Sequence, residues 1–138
     1  MWNDHKFISF DKTPIFYRRL SVPAPAKAIV ILLHGMGEHG GRYSHVAEYF
    51  ASHGIETVLP DLRGFGRSGG QRACVKSFGD FHRDLFGLHQ FVERNKNATP
   101  VFLMGHSFGG LISASYAAFY KHPKISGLIL SSPLFGIA

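Results

Sequence analysis

A serine between two glycines is the arrangement in this sequence best suited to covalent chemistry. Residues 105–109 read GHSFG, a G-x-S-x-G pattern that follows the apolar run TPVFLM and precedes a stretch of small residues. The pattern predicts a strand, a sharp turn that carries Ser107, and a helix. Gly105 and Gly109 fit this prediction, because side chains two positions before and after the serine would meet neighbouring backbone. Such a turn presents a nucleophilic hydroxyl at the positive end of a helix.

A glycine-rich segment after another apolar run supplies a second part of the same chemistry. Residues 32–43 read LLHGMGEHGGRY. Backbone N–H groups in such a turn can point at one oxygen atom, because no Cβ blocks the approach. An oxyanion hole needs two donors of this kind, one from such a segment and one directly after the nucleophile. The segment also carries His34, His39 and His45, but their steps of five and six residues match no known metal-ligand pattern, so we expect no metal site.

A third glycine-rich segment, residues 61–70, reads DLRGFGRSGG. Gly64, Gly66 and Gly69 formally satisfy the G-x-G-x-x-G pattern of dinucleotide sites, which opens directly into a helix. Here eight residues separate Gly69 from Phe78, where the next helical pattern begins. We therefore expect a surface loop and no cofactor. Its length is unusual for a connection between a strand and a helix, which indicates a functional neighbourhood.

Alternating strands and helices must position these three segments. Apolar or β-branched runs predict strands at 28–34, 55–60, 99–106 and 125–132, with two short strands before them. Helical spacing predicts helices over 42–53, from a capping-box start at Ser77 and Asp80, and over 108–120. The predicted fold class is α/β, with a mostly parallel, doubly wound sheet and helices on both faces.

Composition restricts the class of protein further. The 138 residues are enough for one domain with a real core, and 45% of them are hydrophobic. The net charge of +6 comes from scattered lysines and arginines, which favours a solvated surface over nucleic-acid binding. Neither a leader-like N-terminus nor a spanning apolar run is visible. We expect a soluble, cytoplasmic protein with at most peripheral membrane contact.

Taken together and in this order, the segments HGMGEHGGRY, PDLRGFGRSGG and GHSFGG resemble the α/β-hydrolase family. Within it, the chain looks like the monoacylglycerol lipase and lysophospholipase group, also called serine aminopeptidase-like, with its H-G-x-G-E-H-x-x-R-Y signature. The resemblance implies that Ser107 is the nucleophile and that the backbone N–H groups of Met36 and Phe108 form the oxyanion hole. It also implies ester substrates with a single acyl chain and no cofactor.

The remaining members of a catalytic triad are not evident. The triad of this family runs serine, acid, histidine along the chain, but no Asp or Glu follows Ser107 and the only later histidine is His122. A helix of about 13 residues would place His122 roughly 20 Å from the serine. We expect the His106 side chain to point away, while His34 and His39 could lie near the site.

Two interpretations of the missing triad remain open. The resemblance implies that a lid and the strands bearing the acid and the histidine follow LILSSP. Residues 1–138 would then be the N-terminal part of one α/β-hydrolase domain, completed by the remaining C-terminal part, with an acyl ester as substrate. The alternative is a non-catalytic half-domain that acts by strand-edge association with a partner.

Overall fold

The computed structural model of the protein describes residues 1–121 and 124–136, and its strands and helices alternate as the sequence predicts. The strands are β1 (Trp2–Ile8), β2 (Pro14–Leu20), β3 (Ala28–Leu33), β4 (Ile55–Pro60), β5 (Val101–His106) and β6 (Gly127–Ser131). The helices are α1 (Ser44–Ser52), α2 (Gly79–Arg94) and α3 (Phe108–Phe119), and a short 3-10 helix, Gly40–Tyr43, leads into α1. None of these helices, within the residues described, is long and apolar enough to cross a membrane.

The strands form one sheet in the order β1-β2-β4-β3-β5-β6. Strand β3 pairs in parallel with β4 and with β5, and β5 pairs in parallel with β6. Strands β1 and β2 form an antiparallel pair, and β2 runs antiparallel to β4. The predicted fold class, a mostly parallel α/β sheet, is confirmed.

Helices cover the central strand from both sides, which is why every residue of β3 is buried. Alternate side chains point to opposite faces of a strand. Ile29, Ile31 and Leu33 join a cluster with residues of α2 and α3, whereas Val30 and Leu32 pack with Ala47 of α1 on the other face. The continuous apolar run in the sequence is therefore the signature of a strand buried on both faces.

Parallel pairing brings the carboxyl ends of β4, β3 and β5 to one edge of the sheet. Each of the three glycine-rich segments follows one of these strands: residues 34–43 follow β3, residues 61–78 follow β4, and Ser107 follows β5. Open α/β sheets bind their ligands outside this edge. The fold thus collects the segments singled out in the sequence at one place.

A buried ion network fixes the segment after β4 against α2. Arg63 is only 7% exposed and donates two hydrogen bonds of 2.7 Å to the Asp84 carboxylate and a third of 2.8 Å to Asp11. Asp80 lies 4.0 Å from the same guanidinium. The predicted capping box is wrong in this respect: Ser77 Oγ accepts from the Gly79 N–H at 3.2 Å, but the Asp80 carboxylate faces arginines instead.

Candidate active site

Ser107 occupies a strained turn between β5 and α3. Its backbone has φ 51° and ψ −115°, a left-handed conformation that side chains other than glycine rarely adopt. Three backbone hydrogen bonds hold it there: its N–H donates to the Ser131 carbonyl, and its own carbonyl accepts from the N–H groups of Leu111 and Leu134, all at 3.0–3.1 Å. The side chain is half-buried. Sheet and helix together keep the serine at the carboxyl edge.

The two flanking glycines are required sterically, as the sequence predicts. A Cβ on Gly105 would lie 2.2 Å from the Gly109 carbonyl oxygen and 2.6 Å from Ser113 Oγ. A Cβ on Gly109 would lie 2.4 Å from the Leu33 carbonyl oxygen and 2.5 Å from that of His34. The first turn of α3 therefore presses directly on β5 and on the end of β3.

The glycine-rich segment after β3 lies beside this turn. A Cβ on Gly35 would come within 3.5 Å of Cδ2 of His106, the residue before the serine. Met36 is 56% exposed in the turn between Gly35 and Gly37, whose φ is +72°. Phe108, 8% exposed, is the first residue of α3, where backbone N–H groups have no intrahelical acceptor. The structure thus brings together the neighbourhoods of the three residues predicted to form the site.

Asp61, which was not predicted as a site residue, links the segment after β3 to the segment after β4. Its carboxylate is 2% exposed and accepts hydrogen bonds of 2.7 Å from the N–H groups of Gly40 and Arg67. A Cβ on Gly66 would overlap the same carboxylate at 2.2 Å. Its position in the sequence could have indicated this role, because an aspartate directly after a parallel strand lies at the edge where ligand-binding loops meet.

The segment after β4 runs over the surface as the sequence predicts, with residues 66–67, 70–74 and 76–78 exposed, but its first part is anchored in the interior. Asp61, Leu62, Arg63 and Ser68 are all buried, and Ser68 Oγ donates to the Asp61 carbonyl at 2.6 Å. Helix α2 begins only at residue 79, so no helix opens from the glycines. Gly64 and Gly66 have positive φ and serve the turns of the segment itself, and a Cβ on Gly69 would lie 2.8 Å from Cδ of Pro14. The geometry gives the glycine pattern a structural reason that does not involve a dinucleotide.

His34 is a structural residue at the end of β3. The side chain is fully buried, and its Nε2 accepts the Leu62 N–H at 2.9 Å. Nδ1 therefore carries the proton and donates to the Gly35 carbonyl at 2.7 Å. Burial lowers the pKa of His34. With both ring nitrogens engaged and the neutral form favoured, His34 cannot accept a proton from Ser107.

The other histidines considered in the sequence do not supply a base either. His106 directs Nδ1 toward Ser131 Oγ, 3.1 Å away, and His39 is exposed beside Arg18, Asp61 and Arg67 in a cavity of about 330 Å³. His122 lies outside the described residues. Within residues 1–121 and 124–136, Ser107 Oγ makes no hydrogen bond, and no three His, Cys, Asp or Glu side chains are placed to hold a metal ion.

Three buried histidines should make folding stability depend on pH. Burial lowers the pKa values of His34, His82 and His89, so the folded state favours their neutral forms. Their stabilisation is fully present above the unfolded-state pKa of about 6.5 and is lost as the pH falls through the folded-state values. We expect the free energy of unfolding to drop between pH 7 and pH 5.5, by up to about 1.4 kcal/mol per histidine and pH unit. Urea titrations at both pH values measure it; equal stability would contradict this prediction.

Comparison with known proteins supports the family resemblance that the sequence motifs indicated. Residues 24–138 match the family model described as "Serine aminopeptidase, S33". The chain is 34% identical over 131 residues to the monoacylglycerol lipase of Mycolicibacterium smegmatis and 33% identical over 111 residues to phospholipase YtpA of Bacillus subtilis. A solved structure of a soluble variant of monoglyceride lipase from Saccharomyces cerevisiae, in complex with a substrate analog, superposes with a TM-score of 0.84 at 28% identity.

These similarities cover most of this chain and less than half of the proteins it resembles. The lipase match spans 95% of the chain but 46% of that relative, and the YtpA match spans 80% and 42%. The yeast structure is matched over 96% of this chain and 44% of that chain. The described residues therefore correspond to under half of a typical relative.

Proposed function

Because the chain belongs to the serine aminopeptidase S33 family of hydrolases, we propose that it carries the nucleophile and the oxyanion-binding groups of a serine ester hydrolase. The observation that supports this most is the conformation of Ser107. Ser107 is held at φ 51° by three backbone hydrogen bonds, and glycines are required on both sides of it. Such a backbone conformation costs folding stability, and residues that retain it cluster at active sites. The turn is the nucleophile elbow of the proposed enzyme.

The proposed reaction is acyl transfer in two steps. Ser107 Oγ attacks the ester carbonyl while a histidine takes its proton, and the oxyanion is bound by the N–H groups of Met36 and Phe108. The alcohol leaves with that proton, and water then hydrolyses the acyl-enzyme to a fatty acid and free serine. The N-terminus of α3, which has no acidic residue in its first turn, adds a favourable field for the oxyanion.

The histidine and its acid come, in this proposal, from protein beyond the 138 residues, the remaining part of the same domain. Two observations support this. No base reaches Ser107 within the described part of the chain, and the chain spans under half of its relatives. Strand β6 offers the junction, since it pairs with β5 alone among described strands and exposes Leu128, Ile129 and Leu130 by 36–40%. A further strand added there would cover these side chains.

Substrates are proposed to be esters with a single acyl chain, such as monoacylglycerols or lysophospholipids. The names of the lipase and phospholipase relatives support this class, while the family model is named for an aminopeptidase. Parallel assays should separate these chemistries. We expect the complete protein to hydrolyse a monoacylglycerol or a lysophospholipid with the same acyl chain at least a hundredfold faster than an aminoacyl anilide. Preferred cleavage of the anilide would contradict the ester assignment.

The alternative is a non-catalytic half-domain that associates through the edge of β6. The exposed apolar residues of this strand favour it. In that case, ester hydrolysis should be absent even when the rest of the domain is present, and replacing Ser107 should change nothing but stability. Hydrolysis that depends on Ser107 excludes this alternative.

A further inference from the structure

Glu38 ties the start of the glycine-rich segment to its end. A single oxygen, Oε2, accepts the N–H of Gly35 at 2.9 Å and the hydroxyl of Tyr43 at 2.7 Å. The other oxygen lies 3.2 Å from Nη1 of Arg42, which is 63% exposed, so this ion pair adds little. The carboxylate thus closes residues 35–43 into a loop around one acceptor.

The same residue completes the turn that contains Met36. The Glu38 N–H donates to the Gly35 carbonyl at 3.3 Å, and Gly37 at the third position has φ +72°, as a type II turn requires. The N–H groups of Gly35 and Glu38 are therefore both used. Within the described residues, the N–H groups of Met36 and Gly37 both have no acceptor. Met36 is the second residue of the turn, and its N–H points away from the turn's own hydrogen bond because the Gly35 carbonyl on the same peptide points into it.

Close packing leaves this carboxylate little freedom. A Cβ on Gly35 would lie 2.9 Å from Glu38 Oε2 and 3.5 Å from Cδ2 of His106. The same face of Gly35 therefore packs against both the carboxylate and the residue preceding Ser107. A change at Glu38 would therefore displace the backbone of Gly35, which also packs against His106.

Electrostatics favour an ionised carboxylate in this position. The Tyr43 hydroxyl, together with the Gly35 N–H, lowers the pKa of Glu38. Burial, and after it the hydrogen bond to Glu38, raises the pKa of Tyr43 to about 12. A hydrogen bond from an N–H or O–H group to a charged acceptor is stronger than one between neutral groups.

We propose that Glu38 is a positioning residue: its carboxylate holds the turn 35–38 so that the Met36 N–H faces the oxygen bound at Ser107. The catalytic consequence rests on the proposed function, whereas the effect on the loop does not. Glu38 touches no substrate in this proposal and acts only through the backbone of Gly35 and Met36.

The test compares Glu38→Gln with the parent and with Glu48→Gln, which changes an exposed glutamate of α1. In Glu38→Gln, amide exchange at Gly35 and at residue 38, whose N–H groups are the hydrogen-bonded ones of this turn, should accelerate at least tenfold. Tyr43 should titrate at a lower pH than in the parent, although burial keeps it above about 10. Glu48→Gln should change neither. Tyr43→Phe, which removes one of the two hydrogen bonds, should show a smaller exchange effect and serves if Glu38→Gln folds poorly.

Activity of the complete protein adds a second readout that a merely structural role would not give. We expect Glu38→Gln to lower kcat about 10- to 100-fold with KM within twofold, as when an oxyanion donor is misplaced. Unchanged exchange and unchanged Tyr43 titration would overturn the positioning role even if Ser107 is active. Altered exchange and titration in a protein whose parent never hydrolyses esters would instead show that Glu38 orders the turn 35–38, and would overturn the proposed function.

Discussion

Replacing Ser107 by alanine is expected to lower ester hydrolysis by the complete protein by a factor on the order of 10⁴ or more. Alanine removes the oxygen that forms the acyl-enzyme, and no other described hydroxyl stands at the same junction of β5 and α3. Because the backbone hydrogen bonds of residue 107 do not involve its side chain, the free energy of unfolding should stay within about 1 kcal/mol of the parent. Steady-state kinetics and urea unfolding measure the two quantities.

Ser113→Ala is the matched control. This serine lies on α3, is fully buried, and its hydroxyl has no hydrogen-bond partner within the described residues. Removing it should preserve hydrolysis and leave stability equal or slightly higher, because an unsatisfied buried polar group is lost. Activity retained by Ser107→Ala, or lost equally in both variants, would contradict the assignment of Ser107.

Replacing Gly109 by alanine should lower the free energy of unfolding by about 3–5 kcal/mol. The new Cβ would lie 2.4–2.7 Å from the Leu33 carbonyl group and 2.5 Å from the His34 carbonyl oxygen. Backbone atoms of the central strand cannot move aside as a flexible side chain could, so α3 must shift away from β3. Denaturant titration gives the change in the free energy of unfolding.

Gly79→Ala provides the comparison for this prediction. Gly79 is the first residue of α2, and a Cβ there would meet only Ser77 Oγ, at an ordinary 3.5 Å. Alanine is the better helix former by about 1 kcal/mol, so this variant should be as stable as the parent or more stable. If Gly109→Ala proved as stable as Gly79→Ala, the claim that α3 packs closely against β3 at this position would be contradicted.

The sequence predicted the fold class because its local patterns agree with its tertiary structure. The run at residues 28–33 is apolar at every position, as a strand covered on both faces requires. The glycines around Ser107 carry a steric requirement that can be read without coordinates, and the structure confirms it at Gly105 and Gly109.

Contacts between distant segments were not predictable in the same way. The Gly40 hydrogen bond to Asp61 joins residues 21 positions apart, and the Leu62 bond to His34 spans 28. The charge pattern left out one residue for a related reason: the other described lysines and arginines are exposed or partly exposed, as expected, but Arg63 is not. The basic residues suggested a solvated surface, but Arg63 is buried between Asp84 and Asp11, because a network of several carboxylates can compensate a desolvated guanidinium.

The central claim is that Ser107 becomes an activated nucleophile once the rest of the domain supplies an acid and a histidine. The most direct measurement is the denaturing intact mass after exposure to a fluorophosphonate probe, with peptide mapping of the adduct. We expect one adduct, on Ser107, in protein that includes the completing part, and none on the Ser107→Ala variant. A complete protein that stays unmodified, or that is modified at another residue, would contradict this account.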